Sequence, residues 1–121
     1  MRLQLKDIVN SKEALERLAK EKLPISISYD VGKNLRLVEP EYMEYEKQRS
    51  KLIMEKYGEE NIKDSGSWEV KPTMMNEFKE ELSTLAEKYI SLDIIKIKLP
   101  EDTLITPIDI VVLDWMIDFE K

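Results

Sequence analysis

From Val31 onward, apolar residues recur at Leu35, Val38, Tyr42 and Tyr45, and after Arg49 the series resumes at Leu52. Steps of four and three put all of these positions on one stripe of an α-helix. A stripe that long needs cover. A second series, Met75, Phe78, Leu82, Leu85 and Tyr89, has the same alternation of three and four and can supply it. The two together predict a long antiparallel helical hairpin over residues 24–57 and about 72–88, closed by the polar, Gly-containing loop 58–67. Gly58 is the expected helix stop, because glycine tolerates a left-handed cap.

The flanking elements have weaker signals. Residues 2–5 alternate, with Leu3 and Leu5 on one face, and read as a small strand. Asn10 followed by Glu13 has the spacing of a capping box, which predicts a helix over about 11–21 carrying Ala14, Leu15, Leu18 and Ala19 on one side. Pro24 suits the first turn of the next helix, although 25–29 alternates as a strand would. Pro40 opposes one continuous helix, since an interior proline costs roughly 3 kcal/mol. The stripe keeps its phase across it, which favours a kink over a break, with a second helix starting at Pro40 as the alternative. Residues 68–70 read as a short strand. The strongest strand signal is 92–99, β-branched and ended by Pro100, and the N-terminal strand is its expected partner. Thr106-Pro107-Ile108-Asp109 is a helix start with a cap, a proline and an acid in order. The helix that follows, to Phe119, is apolar on nearly all sides. Such a helix is either buried in its own fold or docked on another chain.

The fold class expected is therefore α+β and helix-dominated: a single domain over 1–121, with the long hairpin, a small two- or three-stranded sheet, and a C-terminal hydrophobic helix across the hairpin base. A chain of 121 residues can bury roughly 65% of its unfolded surface. Its 36% charged content fits long helices with solvated outer faces, and three glycines and five prolines argue against a loop-rich chain.

Composition then narrows the chemistry. There is no cysteine and no histidine. Disulfides, thiol nucleophiles, histidine general bases and the usual zinc ligands are all missing. No glycine pattern cradles a phosphate. What remains is carboxylates, lysines and hydroxyls with nothing to concentrate them, so no enzyme, no cofactor and no metal centre is expected. Asp114 and Asp118, four apart, could share a hard cation, but a solvated edge on an apolar helix explains them as well. A net charge of −6 disfavours nucleic-acid binding, and glutamates surround the basic residues Lys33, Arg36 and Lys47. No apolar run approaches the roughly 18 residues of a membrane span, and 1–10 lacks a signal-peptide core. A cytoplasmic protein with a protein partner is the expectation. Candidate interaction residues are Tyr42, Tyr45, Arg49 and Trp115, each weighed against plain core packing. Arg49 interrupts the stripe where a homo-oligomer seam would place a charge, so self-association is also expected to be possible.

Several segments together resemble a family of small uncharacterised proteins of tailed phages and prophages. They are Ile8-Val9-Asn10-Ser11, Lys22-Leu23-Pro24, Glu46-Lys47-Gln48-Arg49 with Leu52, and Lys56-Tyr57-Gly58. Further on come Trp68-Glu69-Val70-Lys71-Pro72, Glu77-Phe78, Leu92-Asp93-Ile94, Ile97-Lys98-Leu99, and Thr106-Pro107 leading to Leu113-Asp114-Trp115. The similarity runs in order along nearly the whole chain, but Pro40 departs from it. The resemblance implies a protein made inside a bacterial host, and it brings no activity and no catalytic residues. It implies one of two roles: a morphogenesis factor such as an assembly chaperone or adaptor, or an inhibitor that blocks a host defence protein.

Overall fold

The computed structural model describes residues 1–60 and 66–118. In chain order the elements are β1 (Arg2–Gln4), α1 (Leu5–Ala19), α2 (Ile25–Leu52), a π-helical turn (Ile53–Tyr57), β2 (Gly58–Glu60), β3 (Trp68–Val70), a 3-10 turn (Pro72–Met74), α3 (Met75–Ala86), β4 (Tyr89–Ser91), α4 (Pro107–Leu113) and a closing 3-10 turn (Asp114–Met116). The domain is α+β and helix-dominated, built round one long helix.

α2 runs unbroken through Pro40. Pro40 and Arg36, whose carbonyl loses its partner there, both lie on the exposed side of the helix, where water can take the freed group. The stripe turns inward as its spacing requires. Val31 and Val38 are fully buried, and Leu35 and Tyr42 pack against the same core. The cover, however, comes mainly from α1, through Ile8, Leu15 and Leu18. α3 touches α1 and covers the C-terminal part of α2, from Leu85 near Tyr45 to the helix end. There Ile53, Tyr57 and Phe78 form a second, smaller core with Leu52, Met75 and Leu82. The Tyr57 and Phe78 rings meet edge to face at 6.0 Å.

The connection between α2 and α3 is a β-hairpin base. β2 and β3 pair antiparallel, Gly58 opposite Val70 and Glu60 opposite Trp68. Most of the expected 58–67 loop, residues 61–65, lies outside the described residues, as does Phe119. Gly58 ends the helix for a different reason from the expected left-handed cap. Its backbone is extended (φ −110°), and a Cβ there would collide with the Ile53 carbonyl oxygen.

Three expectations are corrected. α1 begins at Leu5 rather than near Ser11, and its first-turn box uses Gln4 and Asp7, the Gln4 N–H donating to the Asp7 carboxylate at 3.0 Å. β1 pairs antiparallel with β4, Leu3 opposite Ile90, and of 92–99 only Leu92 joins that pairing, exchanging bonds with Met1 at 2.7 and 3.0 Å. Beyond Leu92 the segment forms no ladder with β1, because its main-chain groups are satisfied elsewhere. The fully buried Asn34 side chain accepts from the Ile95 N–H (2.9 Å) and donates to the Ile95 carbonyl (2.8 Å). Ile97 exchanges bonds with the Met116 carbonyl and the Asp118 N–H, both 2.8 Å. The third correction is the C-terminal helix. It is two helical turns rather than an element reaching Phe119, and it packs on α1, not across the hairpin base.

Candidate protein-interaction surfaces

α4 starts where the cap signals place it: the Thr106 hydroxyl accepts from the Asp109 N–H at 3.3 Å, and Pro107 occupies the first turn. One face is sealed against the fold. Leu113 and Met116 are fully buried, and the buried Asp109 carboxylate accepts two bonds from the Arg17 guanidinium of α1, at 2.7 and 2.9 Å. The Arg17 hydrogen bond holds the Asp109 carboxyl below its usual range, against the opposing effect of burial.

The other face is open. Ile108 and Val111, three apart on α4, are 70% and 71% exposed, and Leu104, in the segment leading into the helix, is 79% exposed. Singly exposed aliphatics are ordinary, but two on one face of an anchored helix, with a third just ahead of its start, make a candidate docking surface. Carboxylates flank these residues in the chain: Glu101, Asp102 and Asp114 are exposed, and among the described residues none is in a salt bridge. Leu104 also lines a cavity of about 460 Å³ that extends to Leu23 and Pro24 at the start of α2. Next to Pro24, Ile25 is exposed as well.

Of the four residues singled out in the sequence, two are used inside the chain. Tyr45 is buried, near Leu5, Leu85 and Ile90, and burial pushes its hydroxyl pKa up. Tyr42 packs against the main core with the Lys12 ammonium over its ring at 4.8 Å, and Lys12 in turn pairs with Glu16. Trp115 is half-buried against the main core. Its indole nitrogen has no partner among the described residues, and its carbonyl accepts from Lys96 at 2.7 Å. Arg49 lines an open groove at the far end of α2 with Trp68, Phe78 and Lys79. Tyr42, Tyr45 and Arg49 share the α2 stripe, but the structure gathers them into no common site, and Trp115 belongs to the C-terminal segment.

Asp114 and Asp118 do not share a helical face. The chain turns extended at Ile117, and among the described residues no group of three or more acidic side chains is arranged to hold a metal ion. No described helix is long and apolar enough to cross a membrane. The exposed pair on α4 escaped the sequence reading because periodicity cannot distinguish the sealed face of an apolar helix from its open one. Asn34 did carry a signal: a polar side chain three residues after Val31 and four before Val38 sits on the buried stripe. Neither family models, curated proteins nor solved structures match this chain.

Proposed function

We propose that this chain is a phage- or prophage-encoded, non-enzymatic protein-binding protein that acts as an assembly chaperone or adaptor in morphogenesis. The observation that carries the binding reading is the exposed pair Ile108 and Val111 on α4, whose opposite face is locked to α1, with the exposed Leu104 in the segment just ahead of the helix. A docking partner would bury these three side chains at its centre and set basic residues against the flanking carboxylates, the arrangement of apolar hot spot and polar surround common to protein interfaces. The phage origin rests on the sequence resemblance.

The test is affinity purification of the tagged protein from phage-infected bacteria, wild type beside an Ile108→Glu/Val111→Glu variant. Exposed substitutions should leave folding stability within about 0.5 kcal/mol, which urea denaturation checks. Capsid or tail proteins recovered with wild type and lost with the variant are the expected result. A single host protein lost in the same way would replace the morphogenesis role with host inhibition. Recovery of the same partners by both proteins would remove α4 as the docking face.

A further inference from the structure

The far end of the molecule carries a second surface, away from α4 in the chain and built differently. A groove of about 570 Å³ lies among α2, β3 and α3. Trp68, Glu69 and Val70, all three residues of β3, line it, and β2 contributes nothing. Successive side chains of a strand point to opposite faces, so a groove touched by three in a row adjoins the strand's edge rather than one face.

That edge is open among the described residues. β3 pairs with β2 alone. The Lys71 N–H donates to the Tyr57 carbonyl at 2.9 Å, in register with Gly58 opposite Val70. In an antiparallel ladder the bonded pairs alternate, so Tyr57/Lys71 and Glu59/Glu69 turn their main-chain groups toward each other. The N–H and C=O of Trp68 and Val70 then point away from β2, toward the free edge. The groove floor is apolar, with Ile53 and Phe78. Two cations, Arg49 and Lys79, line it, and among the described residues neither has a salt-bridge partner, although the protein is acidic overall.

We infer that β3 and this groove form a β-augmentation site for an extended segment of a protein partner, one that carries a carboxylate among alternating apolar side chains. The segment would add a third strand on the Trp68 and Val70 main-chain groups. Its apolar side chains would enter the groove, and its carboxylate would meet Arg49 and Lys79. Strand addition of this kind takes affinity from main-chain bonds and specificity from side-chain pockets. An adaptor with such a site would hold two partners at once, one on α4 and one on β3.

The experiment selects binders to the full-length protein from a displayed library of random linear peptides, then measures the enriched peptides by fluorescence anisotropy. The expected consensus is an acidic residue within an alternating apolar pattern. Val70→Pro removes a donor from the outer edge only and leaves the β2 bonds in place, and it should weaken these peptides at least ~10-fold. Arg49→Glu with Lys79→Glu should weaken them as much, and wild-type binding should fall with added salt. Ile108→Glu on α4 should leave them unchanged, which separates this site from the α4 proposal. Circular dichroism establishes that each variant is folded. The inference is overturned if no peptide is enriched, or if enriched peptides bind the folded Val70→Pro protein as tightly as wild type. It is equally overturned if the groove is filled by a second copy, seen as a concentration-dependent rise in mass that the charge reversal abolishes.

Discussion

Replacing Asn34 tests the least ordinary joint in the fold. Its side chain stands in for a strand: it accepts from the Ile95 N–H and donates to the Ile95 carbonyl, at 2.9 and 2.8 Å. Asn34→Leu keeps much of the volume and removes both bonds. Each Ile95 group then loses its partner, at about 1–3 kcal/mol per orphaned group. Ile95 is half-buried, so partial hydration brings the pair to about 2–4 kcal/mol, and the added apolar contact of leucine returns some of this. Against a typical stability of about 5–15 kcal/mol, that loss is large. Urea denaturation by circular dichroism measures it, and amide hydrogen exchange at Ile95 locates it. Asn34→Asp is the informative companion. It retains the acceptor but sets a carboxylate oxygen against the Ile95 carbonyl. Burial raises the pKa of such a carboxyl above its unfolded value, so the variant should regain stability as pH falls and the group protonates. A loss below about 1 kcal/mol for Asn34→Leu, with Ile95 exchange unchanged, would refute the argument and leave 92–99 held by the bonds of Leu92, Lys96 and Ile97 and by apolar packing.

The other expectations concern helix ends. Gly58→Ala places a methyl group against the Ile53 carbonyl, which is backbone and cannot swing aside; a loss of about 1–3 kcal/mol is expected in urea denaturation, and a neutral result would mean the π-helical turn relaxes freely. Asp109→Asn weakens the tie between α4 and α1. Because the folded carboxyl is held below its unfolded pKa by Arg17, its contribution is present above the unfolded value and is lost as pH falls through the folded one. Wild type should therefore exceed Asp109→Asn in stability at pH 7, and the two should converge in acid. A gap independent of pH would assign the difference to packing rather than to the ion pair.

The sequence made local signals legible and left the partners of each element hidden. The α2 stripe, the Thr106-Pro107 start of α4, β1 and β3 all depend on spacing or capping within a few residues, and all are found where expected. What spacing could not give was the main partner of each element. α3 meets the far end of α2 as expected, with Phe78, Leu82 and Met75 against Leu52 and Ile53, but the rest of the stripe is covered otherwise. Val31 and Val38 declare that they will be buried, but nothing in their spacing says that α1 rather than α3 does it. Ile95, Ile97 and Leu99 alternate as a strand should, yet a side chain and the C-terminal segment take the bonds that a ladder would have made. The Gln4/Asp7 box lies ahead of the Asn10/Glu13 spacing, and by residue type asparagine is the better N-cap; the helix nevertheless starts where β1 ends, at Gln4.

The same limit bears on the interaction surfaces. An apolar helix of two turns can bury only one face against a single neighbour. Once Asp109, Leu113 and Met116 are committed to the fold, the apolar residues on the opposite face of α4 contribute nothing to it. Leu104, Ile108 and Val111 incur the cost of meeting water without any compensating contact. Folding alone does not account for three such residues, two on α4 and one just ahead of it, whereas a partner that covers them would. On β3 the reasoning concerns polar groups instead: a strand edge that is open among the described residues, and two cations with no salt-bridge partner among them, would each be satisfied by one extended acidic segment. The two surfaces make different demands, one for an apolar face with basic surroundings and one for a strand with a carboxylate. A single partner surface of one chemistry would not fill both, and this is the physical basis for reading the chain as an adaptor.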